Sequence, residues 1–116
     1  MVFLKKSEVK IYYETYGEKG PWLVLINGFT RPCSDFRLIA RFFEKEGYRV
    51  LIFDNRGAGK TETFLSFSLN HIAEDLNDIS NKEGIDSFNL AGFSMGGIIA
   101  RCFANKYPSK VKSLVL

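Results

Sequence analysis

The chain has 116 residues, 46% of them apolar and 25% charged, which suits a single globular domain over 1–116 with a buried core. Its net charge of +3, from 16 basic and 13 acidic side chains, is too small and too dispersed to indicate a nucleic-acid partner. No apolar run approaches the length of a membrane span, and the N-terminal residues do not have the pattern of a signal peptide. We therefore expect a cytoplasmic protein.

The first half of the chain contains three strand patterns. Polarity alternates over 9–15, which predicts a half-buried antiparallel strand near a sheet edge. Residues 22–26 are continuously apolar, as a central strand covered on both faces would be. The run 48–53 predicts another strand, so a parallel crossover should join it to the central one.

A helix is predicted between those two strands. Ser34 and Asp35 could cap its N-terminus, and Gly47 follows its expected end. Its apolar face would comprise Phe36, Ile39, Ala40 and Phe43.

Strand and helix patterns continue to alternate in the second half of the chain. The predicted elements are a loop over 54–68, a helix over 69–84, a strand over 88–91, a helix over 98–107 and a strand over 111–116. This alternation predicts an α/β domain with a mostly parallel sheet and flanking helices. Ligands of such sheets bind at the carboxyl ends of the strands. The segments beginning at Asn27, Asp54 and Ser94 each follow a strand closely, so we expect them to converge there.

The segment 92–97, Gly-Phe-Ser-Met-Gly-Gly, contains a G-x-S-x-G pattern between a strand and a helix. An abrupt turn from strand to helix holds the serine side chain above the sheet, and small neighbours permit that turn. Ser94 is therefore the candidate nucleophile, and the positive end of the helix would help to stabilise an oxyanion beside it. An ordinary turn serine is the alternative interpretation.

Together, three segments resemble the N-terminal half of an α/β-hydrolase of the esterase, lipase and aminopeptidase group. Residues 25–29 are similar to the oxyanion loop of that family, 54–59 to its D-x-R-G-x-G loop, and 92–97 to its G-x-S-M-G-G motif. Residues 104–116 are similar to the helix end and strand that follow. The resemblance covers essentially the whole chain and implies a partial hydrolase fold that lacks the last strands.

The resemblance also implies a reaction, the hydrolysis of a carboxylic ester or a related small acyl compound. Ser94 would attack the carbonyl carbon, and the backbone N–H groups of Phe29 and Met95 would bind the oxyanion. A serine rather than an aspartate at position 94 disfavours the epoxide hydrolase and haloalkane dehalogenase branches. No cluster suggests a metal or an organic cofactor, and Cys33 and Cys102 are expected as free thiols.

Several further positions would support this site. Gly28 would let its loop approach the serine, and Gly92 would permit the turn at Ser94. Gly96 and Gly97 would leave room where the helix after Ser94 crosses the neighbouring strand. Asn27 stands where many family members have His, and it can still donate and accept hydrogen bonds.

The loop after the third predicted strand would have a supporting role of its own. We expect Asp54 and Arg56 to organise loops through hydrogen bonds and an ion pair rather than to act in catalysis.

Two rival assignments are weaker. Residues 57–61 end in Gly-Lys-Thr, as a phosphate-binding loop does, but Asp54 occupies the position of its first glycine. His71 could in principle serve as a base, yet its position suits an exposed residue in the first turn of a helix.

Residues 95–116 contain no Asp, Glu or His, although the family's acid and base follow the serine in the chain. Two hypotheses follow. The sequence belongs to a serine hydrolase whose acid and base lie outside it, or it is an inactive remnant that binds a ligand or pairs through an open sheet edge.

Overall fold

A computed structural model of the protein describes residues 2–6, 9–63 and 67–116; residues 64–66 of the predicted loop lie outside this set. The described chain forms a mixed sheet and three α-helices. The strands are β1 (Val2–Lys5), β2 (Val9–Tyr16), β3 (Trp22–Ile26), β4 (Arg49–Phe53), β5 (Glu62–Thr63), β6 (Phe88–Gly92) and β7 (Val111–Val115). The helices are α1 (Arg37–Lys45), α2 (Leu69–Lys82) and α3 (Met95–Lys106), with short 3-10 turns at Cys33–Phe36 and Pro108–Lys110.

The sheet has the order β1-β2-β4-β3-β6-β7, and the short β5 pairs with β2. β3 pairs in parallel with both β4 and β6, and β6 pairs in parallel with β7. β2 runs antiparallel to its partners β1, β4 and β5. The predicted α/β class, the central position of β3 and the antiparallel strand near an edge are confirmed. β1 was not predicted, because four residues give too short a pattern to indicate a strand.

Apolar side chains pack on both faces of the sheet. Residues of α2 and α3 bury one face, where Leu76, Ile79, Ile99 and Phe103 have no measurable exposure. The other face packs against Ala40 and the partly buried Phe43 of α1, and against Phe36 of the 3-10 turn before it. Since successive strand residues point to opposite faces, Leu51 lies in the first cluster and Ile52 in the second.

An ion pair fastens α1 to the sheet. The Arg37 guanidinium donates from Nε to the two carboxylate oxygens of Glu14 on β2, at 3.0 and 3.1 Å. Tyr16 donates to the same carboxylate at 2.7 Å. The pKa of Glu14 is lowered to about 2, mainly by its hydrogen bonds from Arg37.

Three details of the predicted helices are wrong. Ser34 and Asp35 lie inside the 3-10 turn, and α1 begins after Phe36 without a side-chain cap. Ile39 is 44% exposed, so it does not belong to the buried face of α1. α3 begins at Met95 rather than at Ile98, because Gly96 continues the helix across the end of β3. The expected room at Gly97 is not needed, since a Cβ atom there would lie 3.5 Å from its nearest neighbour.

In the part of the chain that the structure describes, no helix is both long enough and apolar enough to span a membrane.

Candidate active site at the carboxyl edge of the sheet

Ser94 occupies a strained turn between β6 and α3. Its φ of 58° and ψ of −124° lie in a region that costs a residue with a side chain on the order of 1–3 kcal/mol. The N–H of Phe93 donates to the carbonyl of Ile26 at 2.9 Å, which ties the turn to the end of β3. The Ser94 side chain is exposed at this edge. The turn thus presents the hydroxyl to solvent directly above the central strands.

Two glycines make the turn possible. A Cβ atom at Gly92 would lie 2.2 Å from the carbonyl oxygen of Gly96. A Cβ atom at Gly96 would lie 2.1 Å from the carbonyl oxygen of Ile26. Both distances are far below a possible contact, so backbone packs on backbone at both positions. We call residues 92–97 the elbow.

The loop that follows β3 lies against this serine. A Cβ atom at Gly28 would be 3.4 Å from the Cβ of Ser94 and 3.7 Å from its Oγ. Gly28 therefore brings the backbone of residues 27–31, which we call the β3 loop, within reach of the hydroxyl. The predicted convergence of these two segments at the carboxyl edge is confirmed.

A tight turn orients the peptide between Gly28 and Phe29. The carbonyl of Gly28 accepts a hydrogen bond from the N–H of Arg31 at 3.3 Å, and Thr30 has a φ of 62°. In a trans peptide the C=O and N–H bonds point in opposite directions, so the N–H of Phe29 points away from the turn. Positive φ is unfavourable for a β-branched residue, which makes Thr30 a second strained position beside the site.

The N–H groups of Phe29 and Met95 both lie at this edge. Met95 is the first residue of α3, where an N–H has no partner inside its own helix. Within the described residues, neither amide donates a hydrogen bond to another protein group. Phe29 and Phe93, which belong to the two segments that meet here, are 64% and 67% exposed.

Amide and carboxylate groups hold the β3 loop in place. Asn27, which is 3% exposed, accepts the N–H of Gly28 on Oδ1 at 2.7 Å. Its Nδ2 donates to the carbonyl of Pro32 and to Asp35, both at 3.0 Å. Asp35 also accepts two bonds from Arg31, each 2.8 Å long, and these bonds are the main cause that lowers its pKa.

Asp54 organises the loop after β4 and has no exposed carboxylate edge. Its Oδ1 accepts the N–H of Cys33 at 2.6 Å, and its Oδ2 accepts the N–H of Lys60 at 2.7 Å. A Cβ atom at Gly59 would lie 2.1 Å from the same carboxylate, so the loop closes tightly around it. Burial, followed by the charge of Asp54, raises the pKa of the Cys33 thiol.

The geometry of this loop excludes a phosphate-binding loop at 54–61. The carboxylate of Asp54 fills the space that a phosphate would need, and the short strand β5 at Glu62–Thr63 stands where a helix would have to begin.

Arg56 forms a buried bidentate ion pair with Asp75 of α2. Its Nε and Nη2 donate to the two carboxylate oxygens at 2.7 and 2.8 Å, and both side chains are less than a tenth exposed. Lys6 adds a third contact at 3.0 Å to Asp75 and also pairs with Asp78. The pair fixes the loop after β4 to α2.

His71 helps to cap the N-terminus of α2. Its N–H donates to Oγ of Ser68, while its Nδ1 accepts the N–H of Ser68 at 3.0 Å. The two residues form a reciprocal cap, which matches the predicted position in the first turn. Among the described residues, no group of three His, Cys, Asp or Glu side chains could hold a metal ion. Cys33 and Cys102 are free thiols.

Three residues of this region were not predicted from the sequence. Asn55 donates to the backbone of the β3 loop, and it falls on a position that the D-x-R-G-x-G pattern leaves open. Asp35 was expected as a helix cap. Asp75 could have been found, because it lies on the same helical face as Ile72, Leu76 and Ile79 and is therefore a charged residue at a buried position.

The fold and the strained serine turn define a class of protein, and comparison with known proteins identifies it. A model of the alpha/beta hydrolase fold family matches residues 21–116, so the chain belongs to that family.

Named relatives and solved structures support the same family. The chain is 33% identical to Epoxide hydrolase 4 of Homo sapiens over 99% of its own length and 33% of that protein. It is 34% identical to Lipase 1 of Psychrobacter immobilis over 97% of its length and 36% of that protein. A carboxylesterase structure from the Thaumarchaeon Nitrososphaera gargenis superposes with a TM-score of 0.92 at 26% identity, covering 97% of this chain and 43% of the other.

The chain thus spans about a third of the length of these curated relatives. The chain is nearly equally identical to a protein named as an epoxide hydrolase and to one named as a lipase. Overall sequence similarity therefore identifies neither the substrate nor the attacking group.

Proposed function

We propose that Ser94 is the nucleophile of a serine hydrolase that acts on carboxylic esters or related acyl compounds. The close approach of Gly28 to Ser94 carries this proposal, since even a Cβ atom added at Gly28 would lie 3.7 Å from the hydroxyl oxygen. A serine in a strained strand-to-helix turn, beside backbone N–H groups that have no acceptor among the described residues, suits acyl transfer.

In the proposed reaction, Oγ of Ser94 forms a bond to the carbonyl carbon of the substrate while a base takes its proton. The carbonyl electron pair moves onto oxygen, where the N–H groups of Phe29 and Met95 would stabilise the negative charge. Collapse of this intermediate breaks the bond to the leaving oxygen, which takes the proton from the base and departs as the alcohol. Water then attacks the acyl-serine and gives a proton to the base, which returns it to Oγ as the acid is released. Removal of one such donor typically lowers the rate by a factor of about 100 to 1,000.

The base and its supporting acid would come from outside residues 1–116. His71, the only histidine of the sequence, already has its Nδ1 engaged by the N–H of Ser68. The alignment over about a third of each relative is compatible with further residues that complete the site. A reading frame that continues past Leu116 and encodes Asp and His would support this proposal.

A fluorophosphonate probe tests the role of Ser94, because it forms a covalent bond with an activated serine. We expect slow labelling of the wild-type protein that Ser94→Ala abolishes. Ser109→Ala, which alters an exposed serine in the second 3-10 turn, is the matched control and should label like the wild type. Absence of labelling that depends on Ser94 would contradict the proposal.

A second candidate function has one observation in its favour. β7 lies at the end of the sheet order, and Leu114 and Val115 on it are exposed. An inactive hydrolase-like module could pair with another chain through this edge. A concentration-dependent dimer that Val115→Lys disrupts, in a protein without Ser94 labelling, would favour this candidate over the enzyme.

A further inference from the structure

Asn55 is a buried amide in the loop after β4, and it contacts the β3 loop directly. The residue is 1% exposed, and its Nδ2 donates to the carbonyl oxygen of Asn27 at 3.0 Å. The two residues are 28 positions apart in the sequence. The bond therefore joins two separate loops at the edge of the sheet where Ser94 lies.

The carbonyl of Asn27 is the point at which three segments meet. A Cβ atom at Gly96 would lie 2.7 Å from this oxygen, so the first turn of α3 packs against it. The same turn begins with Met95, one of the two proposed oxyanion donors. The other proposed donor, Phe29, follows Asn27 by two residues. A shift of this carbonyl would therefore change the separation of the two N–H groups.

The orientation of the Asn55 side chain leaves one of its own atoms without a hydrogen bond. Its Oδ1 is buried and has no hydrogen-bond partner within the described part of the chain. An unpaired buried acceptor typically costs about 1–3 kcal/mol. Rotating the amide by half a turn would place Oδ1 against the carbonyl of Asn27, oxygen against oxygen. The observed orientation keeps the bond to Asn27 although Oδ1 remains unpaired.

The neighbours of Asn55 fix its backbone on both sides. Asp54 accepts the N–H groups of Cys33 and Lys60, and Arg56 pairs with Asp75. Asn55 consequently projects from a rigid segment that is anchored to α2 and to the turn before α1. Such a segment can hold a neighbouring loop at a defined distance.

We propose that Asn55 is a positioning residue that sets the placement of the Phe29 N–H relative to that of Met95, through its bond to the carbonyl of Asn27. The proposal rests on the function proposed above for Ser94. Asn55 touches neither the serine nor the substrate in this scheme, and it acts through the backbone of the β3 loop.

The decisive variant is Asn55→Asp, which keeps the shape of the side chain but replaces the donor with an acceptor when ionised. Asn70→Asp is the matched control, because it makes the same chemical change at an exposed position of α2. With the fluorophosphonate probe, we expect the maximal rate of Ser94 labelling to fall about tenfold or more in Asn55→Asp, since small displacements of catalytic groups are costly. The probe concentration at half-maximal rate should stay within about twofold, whereas a loss of folded protein would lower the labelled fraction instead.

A measurement that does not depend on labelling keeps the inference separate from the proposed function. The backbone amide signals of Phe29 and Met95 in a proton–nitrogen correlation spectrum should shift in Asn55→Asp and stay in place in Asn70→Asp. If Asn55→Asp does not fold, Asn55→Ala provides the same test. Unchanged amide signals together with an unchanged labelling rate would overturn the inference. Shifted signals in a protein whose wild type does not label would contradict the serine hydrolase but retain the positioning role.

Discussion

The elbow and the β3 loop reach the same edge of the sheet, but different interactions hold them there. The elbow is fixed by backbone contacts that leave no space for a side chain at Gly92 or Gly96. The β3 loop is fixed by polar side chains, with Asn27 and Asn55 bonded to backbone groups. One segment should therefore be intolerant of added atoms, and the other should be intolerant of lost hydrogen bonds.

The largest effect is expected from Gly96→Ala, which adds a methyl group 2.1 Å from the carbonyl oxygen of Ile26. We expect it to lower the free energy of unfolding by about 4 kcal/mol, measured by urea denaturation, because a backbone atom cannot move aside cheaply. Gly97→Ala is the control, since its Cβ would lie 3.5 Å from the nearest atom. That variant should be neutral or stabilised by up to about 1 kcal/mol. Equal effects would show that the elbow is not held by close backbone contact.

The next effect concerns the ion pair of Arg56 and Asp75, which fixes the loop that holds Asn55 against the β3 loop. Asp75→Ala removes the carboxylate that accepts two hydrogen bonds from the buried Arg56. Loss of one partner of a buried ion pair typically lowers the free energy of unfolding by about 3 kcal/mol or more. Asp78→Ala is the control, because the side chain of Asp78 is 39% exposed and its ion pair with Lys6 should contribute at most about 1 kcal/mol. Thermal denaturation of both variants measures the difference. A loss in Asp75→Ala no larger than that in Asp78→Ala would contradict a buried anchor.

A smaller effect, of opposite sign, is expected at Thr30. Thr30→Gly should raise the free energy of unfolding by about 1 kcal/mol, because glycine adopts the φ of 62° without strain. Thr30→Ala retains a Cβ atom and should not give this gain. If both variants are equally stable, the positive φ of Thr30 stores no strain, and the β3 loop is held by its polar contacts alone.

The smallest effect concerns the stability of the β3 loop at low pH. Hydrogen bonds from Arg31, and then from Asn27, lower the pKa of Asp35 in the folded protein. Their stabilising contribution is therefore present above the ordinary pKa of 3.8 and is lost as the pH falls through the lower folded value. Between pH 5 and pH 3, amides of the β3 loop should lose hydrogen-exchange protection, after correction for intrinsic rates, while amides of the elbow do not. Asp35→Asn should remove this pH dependence, and its persistence there would assign the effect to another group.

The strands and the elbow could be predicted from the sequence because burial and backbone strain leave local patterns. The continuous apolar run at β3 reflects a strand covered on both faces, and glycines around Ser94 reflect contacts that exclude a Cβ atom. The polar contacts could not be predicted. Asp35 has the pattern of a helix cap, but Arg31 and Asn27 take its carboxylate. The partner of Asn55 is 28 residues away, and no local pattern specifies such a contact.

The two thiols differ in accessibility, so their rates of alkylation differ. Cys33 is buried beside Asp54 with its pKa raised, so it remains protonated and resists alkylation while the fold is closed. Cys102 on α3 is partly accessible and should react first. The later modification of Cys33 then measures how often its surroundings open. Because the N–H of Cys33 donates to Asp54, the rate of this second alkylation reports the opening kinetics of the junction between the turn before α1 and the loop after β4.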